Sequence, residues 1–150
     1  MKIAIACDHA GFELKNYLLN LIRKTEHEII DMGTNSTDAV DYPDYAQKVA
    51  VAVSQKQADR GIIICGSGIG AVITANKFKG IRAGICHDTY SAAQGVEHDD
   101  MNVLCLGARV IGQTLAETIV KSFLNVKFSN QERHLRRLNK MKAIEDENLK

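Results

Sequence analysis

The chain has 150 residues, 45% of them apolar and 25% charged, and a formal net charge of +1. That length supports one domain, residues 1–150, with a core of its own. A balance so close to neutral supplies no whole-molecule field for nucleic acid or a membrane surface, so anion recognition has to come from local clusters. No segment is long and apolar enough to span a bilayer, and Met1-Lys-Ile-Ala-Ile-Ala enters a strand with no signal-peptide core before it. The four cysteines form no CxxC pair, and each closes or lies within an apolar run. That pattern suits reduced thiols in a cytoplasmic protein.

Short apolar strands alternate with helical stretches, the signature of an α/β fold with helices covering a parallel sheet. The first strand spans 2–7 (KIAIAC), with Asp8 and His9 after it. A helix over 11–24 carries Phe12, Leu14, Tyr17, Leu18, Leu21 and Ile22 at the spacing of one apolar face. The second strand, 27–32, leads to Gly33-Thr-Asn35 and then to Asp41-Tyr-Pro43. Pro43, the only proline, suits the first turn of a helix over 43–57. The third strand, 61–65 (GIIIC), runs into a glycine-rich turn and a helix over 68–78. Strand 82–86 is followed by His87, Asp88 and a helix over 89–97. Strand 103–107 ends just before Arg109, with a helix over 112–125. A last helix covers 130–147, with Ser129 or Asn130 as its cap.

Ligands of an open parallel sheet bind outside the carboxyl ends of its strands. Titratable groups gather at that edge: Asp8 and His9, Tyr42, the Cys65 loop, His87 and Asp88, and Arg109. Cys65 is the most informative of them, because Gly66-Ser-Gly-Ile-Gly70 follows it at once. Free main-chain amides and the positive end of a helix favour anions there, and the same field favours a thiolate. A base beside an anion-stabilising loop is what enolisation of a sugar phosphate requires; a buried strand-end cysteine before a turn is the plainer reading. Gly66-x-Gly68-x-x-Ala71 also fits a dinucleotide fingerprint, with Asp88 22 residues beyond Gly66. It follows the third strand rather than the first, however, and leaves no room for a substrate domain. A cysteine phosphatase loop fails because no arginine follows Cys65 at short range. Arg133 and Arg137, four apart on the last helix, share a face that can grip a phosphate or simply be solvated. His98 is a candidate general acid or base. His98, Asp99 and Asp100 are adjacent and point different ways, so no metal site is expected.

These features together resemble the ribose-5-phosphate isomerase B family of the wider ribose/galactose isomerase group. The matching runs are Ala6-Cys-Asp-His-Ala-Gly-Phe12, Asp41-Tyr-Pro43, Ile64-Cys-Gly-Ser-Gly-Ile-Gly70, Ala75-Asn-Lys77, Asn102-Val-Leu104, Gly107-Ala-Arg109 and Arg133-His-Leu-Arg-Arg137. They occur in order over nearly the whole chain. The resemblance implies a Rossmann-like three-layer α/β/α sandwich with a five-stranded parallel sheet in order 2-1-3-5-4 and an extra C-terminal helix. It implies interconversion of D-ribose 5-phosphate and D-ribulose 5-phosphate in the pentose phosphate pathway, through a cis-enediol and without a cofactor. It also implies a homodimer or dimer of dimers whose active sites are shared between subunits.

Carried over by position, Cys65 is the proton-transfer base, His98 the ring-opening residue and Ser67 a partner of the substrate oxygens. Amides from Gly66 through Gly68 and Ile69 to Gly70 would hold the enediolate. Asp8 and Tyr42 line the sugar, and His9, Arg109, Arg133 and Arg137 form the phosphate end. Asn102 matches a further contact. Asp99 stands where many relatives have asparagine and is left out, since its charge would oppose an anionic substrate. Some relatives use a glutamate after the loop as base; here Ala71, Val72, Ile73 and Thr74 follow, so the cysteine route is the consistent one. The alternatives are allose 6-phosphate or galactose 6-phosphate as substrate, or a non-catalytic nucleotide-binding module.

Overall fold

In a computed structural model, residues 1–149 are described. Five strands, β1 (Lys2–Cys7), β2 (Glu28–Asp31), β3 (Arg60–Cys65), β4 (Ala83–Ile85) and β5 (Val103–Gly107), form one sheet. Their order is β2-β1-β3-β5-β4 and every pairing is parallel. Six helices connect and flank them: α1 (Phe12–Ile22), α2 (Tyr42–Ser54), α3 (Ile69–Ala75), α4 (Thr89–Asp99), α5 (Gln113–Asn125) and α6 (Glu132–Asn148). The α/β class, the sheet order and the final helix agree with the expectation from sequence.

Residues alternate across the sheet, so each strand serves two cores. Ile3, Ile5, Ile62, Ile64, Leu104 and Leu106 pack with α1, α4 and α5 on one face. Ala4, Ala6, Ile63, Cys65, Val103 and Cys105 pack with α2 and α3 on the other. Cys65 therefore belongs to the α2–α3 face, and that face looks onto the site. Gly61 in β3 is fully buried where α2 crosses: a Cβ there would lie 2.4 Å from Val49.

Three local expectations change. The first helix is preceded by a 3-10 turn, His9–Gly11, in which Asp8 Oδ1 accepts Ala10 N–H at 3.0 Å and Gly11 N–H at 3.2 Å. Gly11 lies so close to β3 that a Cβ would meet the Ile64 carbonyl oxygen at 2.6 Å, which leaves no room for a helical side chain. The buried face of α1 is Leu14, Lys15, Leu18, Leu19 and Ile22, whereas Phe12, Tyr17 and Leu21 are only partly covered. It is rotated toward Lys15, which is 0% exposed and donates to Asp31 Oδ1 and to the Thr34 carbonyl, each at 2.7 Å. Finally, the N-cap of α6 is Gln131 rather than Ser129 or Asn130. Ser129 instead hydrogen-bonds Gln131 N–H at 3.2 Å and His134 Nδ1 at 2.6 Å.

Candidate active site

β1 and β3 are neighbours in the sheet, but their connections leave in opposite directions, which opens a crevice at their carboxyl ends. Asp8 N–H donates to the Ile64 carbonyl at 3.1 Å and ties the two ends together. β3 delivers Cys65, which is 4% exposed, and the chain then turns sharply. Gly68 has a φ of 83°, a left-handed conformation that favours glycine. A Cβ there would also lie 2.7 Å from Ile85 and 3.1 Å from the main chain of Leu106. The turn swings the Gly68 N–H back onto Cys65 Sγ at 3.1 Å. An amide aimed at sulfur is the contact a thiolate accepts. Ile69 N–H donates to Ser67 Oγ at 3.2 Å, and the Ile69 side chain is exposed.

A cavity of about 300 Å³ opens over this turn. Cys65, Gly66, Ser67 and Gly70 form its floor, and Asp8, Tyr42, Arg109 and Val110 its walls. Tyr42 begins α2, where Pro43 follows in the first turn as expected, and its ring lies across Gly70. A Cβ on Gly70 would come within 2.4 Å of that ring, so only glycine allows the approach. Arg109 comes from the turn after β5; its N–H donates to the Gly66 carbonyl at 3.0 Å, and its guanidinium rests against Gly66. One cation, one carboxylate, one phenol and one thiol thus surround a loop of main-chain amides. His9 lies beside Asp8 in the 3-10 turn, where the Val40 N–H donates to its Nδ1 at 3.2 Å.

The other three thiols are in apolar surroundings. Burial pushes Cys7 and Cys86 up to about 11 and raises Cys105 as well. A larger cavity, about 410 Å³, lies between β4, α4 and α6, with Arg82, Asp99, Met101 and Met141 among its lining residues. It contains none of the strand-end groups, so size alone does not select the site. Among the described residues no three His, Cys, Asp or Glu side chains cluster as metal ligands.

The remaining sequence-predicted residues lie elsewhere in the chain. α4 starts at the carboxyl edge and leads back to the start of β5, which puts His98 near the amino edge of the sheet. There its ring stacks on His134 of α6, with centroids 4.0 Å apart, and Gln94 Nε2 lies 3.0 Å from its Nδ1. Burial first, then the neighbouring His98, Arg133 and Arg137, hold the His134 pKa below the ordinary imidazole value. Arg133 and Arg137 flank that buried ring and are exposed. Asn102 precedes β5 at the amino edge. Its Oδ1 accepts Arg82 N–H and its Nδ2 donates to the Gly80 carbonyl, both at 2.8 Å, so its amide is committed to the fold. Sequence reasoning did not single out Val110 or His134. Val110 directly follows Arg109, and His134 lies between the two arginines of α6, so position beside a chosen residue was the available signal.

The sequence profile described as ribose/galactose isomerase matches residues 3–141. The chain belongs to that family. The matched span runs from β1 into α6 and includes every wall of the Cys65 cavity. The chain is 46% identical over 144 residues to ribose-5-phosphate isomerase B of Escherichia coli (strain K12), covering 96% of each. It is 45% identical over 129 residues to ribose-5-P isomerase B of Listeria innocua, covering 86% of this chain and 87% of that one. Among solved structures, ribose-5-phosphate isomerase B of Clostridium thermocellum superposes with a TM-score of 0.95 at 46% identity, covering 98% of this chain and 99% of that one. The Mycoplasma genitalium enzyme with bound ribulose-5-phosphate gives 0.93 at 38% identity, covering 98% and 97%. No helix among the described residues of this family member is long and apolar enough to cross a membrane.

Proposed function

We propose that this family member interconverts D-ribose 5-phosphate and D-ribulose 5-phosphate by proton transfer through a cis-enediolate. The observation that carries the reading is Cys65, a thiol on a cavity floor with a main-chain amide 3.1 Å from its sulfur. In the aldose-to-ketose direction the thiolate takes the proton from C2. The C–H electron pair becomes the C1–C2 double bond, and negative charge collects on O1. Donors of the 66–70 loop offset that charge; one well-aligned donor stabilises such a transition state by about 3 kcal/mol. Passage of the O2 proton to O1, with return of the carbon-bound proton from the Cys65 thiol to C1, gives the ketose and restores the thiolate. Ser67 and Asp8 hold hydroxyls, Tyr42 covers the sugar, and Arg109 with His9 meets the phosphate.

His98, Arg133 and Arg137 complete the site from a second copy of the chain, in a cytoplasmic homodimer with two shared sites. In support, the three residues lie together on α4 and α6 and line no part of the Cys65 cavity of their own chain. His98 then opens the furanose ring, and the two arginines grip the phosphate. The single unit, residues 1–150, carries all of these groups.

The test is a coupled assay of ribose 5-phosphate, with allose 6-phosphate and galactose 6-phosphate in parallel, with and without chelator. We expect pentose turnover that is indifferent to chelator. Cys65→Ala should lose about 10³-fold in kcat or more, while binding ribulose 5-phosphate within about threefold of the parent. Full turnover in that variant would sink the reading, and a stronger response to a hexose phosphate would move the substrate.

A further inference from the structure

β4 is the shortest strand of the sheet, and its register with β5 ends at Ile85 opposite Cys105. Cys86 N–H still donates to the Cys105 carbonyl at 3.3 Å, and beyond that point main-chain pairing stops. β5 continues to Gly107, which has the same parity as Cys105, so its N–H points to the β4 side. There it donates to His87 Nε2 at 3.0 Å. A main-chain amide can only donate, so Nε2 carries a lone pair and the ring proton sits on Nδ1. The imidazole thus takes the place of the carbonyl that β4 no longer supplies.

The turn held in this way is the one that supports the Cys65 loop. Gly107 is in register with Cys65. Its Cα presses on the loop so closely that a Cβ would stand 2.6 Å from the Ser67 carbonyl oxygen. Ala108 N–H donates to the Cys65 carbonyl at 2.8 Å, and Arg109 N–H to the Gly66 carbonyl at 3.0 Å. Three consecutive loop residues therefore rest on residues 107–109, and the Gly107 N–H is held by one side chain from the segment that follows β4. His87 itself does not line the cavity.

We infer that His87 is a positioning residue for isomerisation: by accepting the Gly107 amide it sets where the Cys65–Ser67 main chain stands beneath the substrate. It acts through the loop and touches no reacting atom. The inference rests on reading the Cys65 loop as the isomerisation site. A shift of a few tenths of an ångström in donors that meet a developing oxyanion lowers turnover more than binding.

The experiment compares His87→Leu, which fills the space without an acceptor, with His87→Gln, whose Oε1 reaches where Nε2 stood. Both are assayed with ribose 5-phosphate as purified full-length protein, with folding followed by thermal melting. The expected result is a kcat about tenfold lower for His87→Leu with KM within about threefold, and recovery of most of that loss in His87→Gln. If His87→Leu does not fold, His87→Ala takes its place in the comparison. A kcat within about twofold of the parent in the apolar variant, or a glutamine variant as slow as it, would overturn the inference. Failure of both apolar variants to fold would assign His87 to the fold and overturn it too. Absence of turnover in the unmodified chain would instead remove the isomerase reading, and this inference with it.

Discussion

The Cys65 cavity and the His98–Arg137 cluster carry comparable chemistry but are built in opposite ways. The cavity is a product of the main chain: strand ends, a left-handed glycine and crossing amides place the thiol, and side chains arrive only at its walls. The cluster is a product of side chains on two helices, joined by a stack of two imidazoles and open on its arginine side. A cavity made of main-chain geometry is formed wherever the fold is formed. A set of exposed cations on one helix gains a function only from the surface it faces. Destabilising changes should therefore act on the cavity through the fold, whereas changes to the exposed arginines of the cluster should act on substrate binding and leave the fold nearly untouched.

The largest effect is expected beneath the cavity. Lys15 ties α1 to the Asp31–Thr34 segment, and that segment holds the end of β1: Cys7 N–H donates to the Gly33 carbonyl at 2.7 Å, and Thr34 N–H to the Cys7 carbonyl at 2.8 Å. Lys15→Met keeps the length and removes the charge, which leaves the buried Thr34 carbonyl without the Lys15 donor and leaves the exposed Asp31 with the Gly33 N–H alone. Leaving one buried acceptor without its donor costs about 1–3 kcal/mol. Urea unfolding should show a loss of that size; a loss below about 1 kcal/mol would separate the cavity from its foundation.

Next comes the loop itself. Gly68→Ala must place a Cβ against Ile85 in a left-handed conformation that disfavours side chains by about 1–2 kcal/mol. Its greater consequence should be kinetic, because the Gly68 amide is the donor to Cys65 Sγ. A kcat lower by about 10²-fold is expected in the folded variant, and turnover equal to the parent would show that the amide contact is idle.

On the cluster side, Arg137→Ala should raise KM for ribose 5-phosphate about 10- to 100-fold, the worth of hydrogen bonds to a charged partner. Its melting temperature should not move, since the side chain is exposed. The two regions can also be joined in one test. Two protomers, one carrying Cys65→Ala and the other Arg137→Ala, each lack a different half of a shared site. Random pairing leaves roughly a quarter of sites intact, so mixing after denaturation and refolding should restore about that share of activity. No recovery in a mixture shown to contain heterodimers would place both halves in one chain.

The same contrast decides what could be read before the fold was known. Short segments of five or six residues with apolar centres located all five strands, and Gly66-Ser-Gly after the Ile62–Cys65 run located the turn, because those signals are local in sequence. The cavity walls followed from the rule that strand ends converge. Three features were hidden for a common reason. The His87 contact with Gly107 needs β4 beside β5, a pairing set by chain crossover. The burial of Lys15 was missed because lysine is normally solvated, although its spacing with Leu18, Leu19 and Ile22 follows the inward face of α1. Asn102 looked available in the sequence, whereas the fold engages its side chain with the Arg82 N–H and the Gly80 carbonyl. Contacts between distant segments decide each of these, and no window along the chain displays them.

The smallest effect expected is a pH dependence confined to the cluster. His134 is 1% exposed, stacked on His98, bonded to Ser129 and flanked by Arg133 and Arg137, and its folded pKa is held below the ordinary value. In the unfolded chain the ring titrates near 6.5. Between the lowered folded value and that point, the unfolded chain takes up a proton that the folded chain refuses. Stability from this group is therefore full above about pH 6.5 and declines as the pH falls through that range. His134→Leu should lower stability at about pH 8, where the Ser129 bond and the stack are lost, yet show a shallower decline on acidification. Urea midpoints at about pH 8 and pH 5.5 give the comparison. An identical acid-side decline in parent and variant would mean that the proton is refused elsewhere, and that the imidazole stack orders the cluster without titrating it.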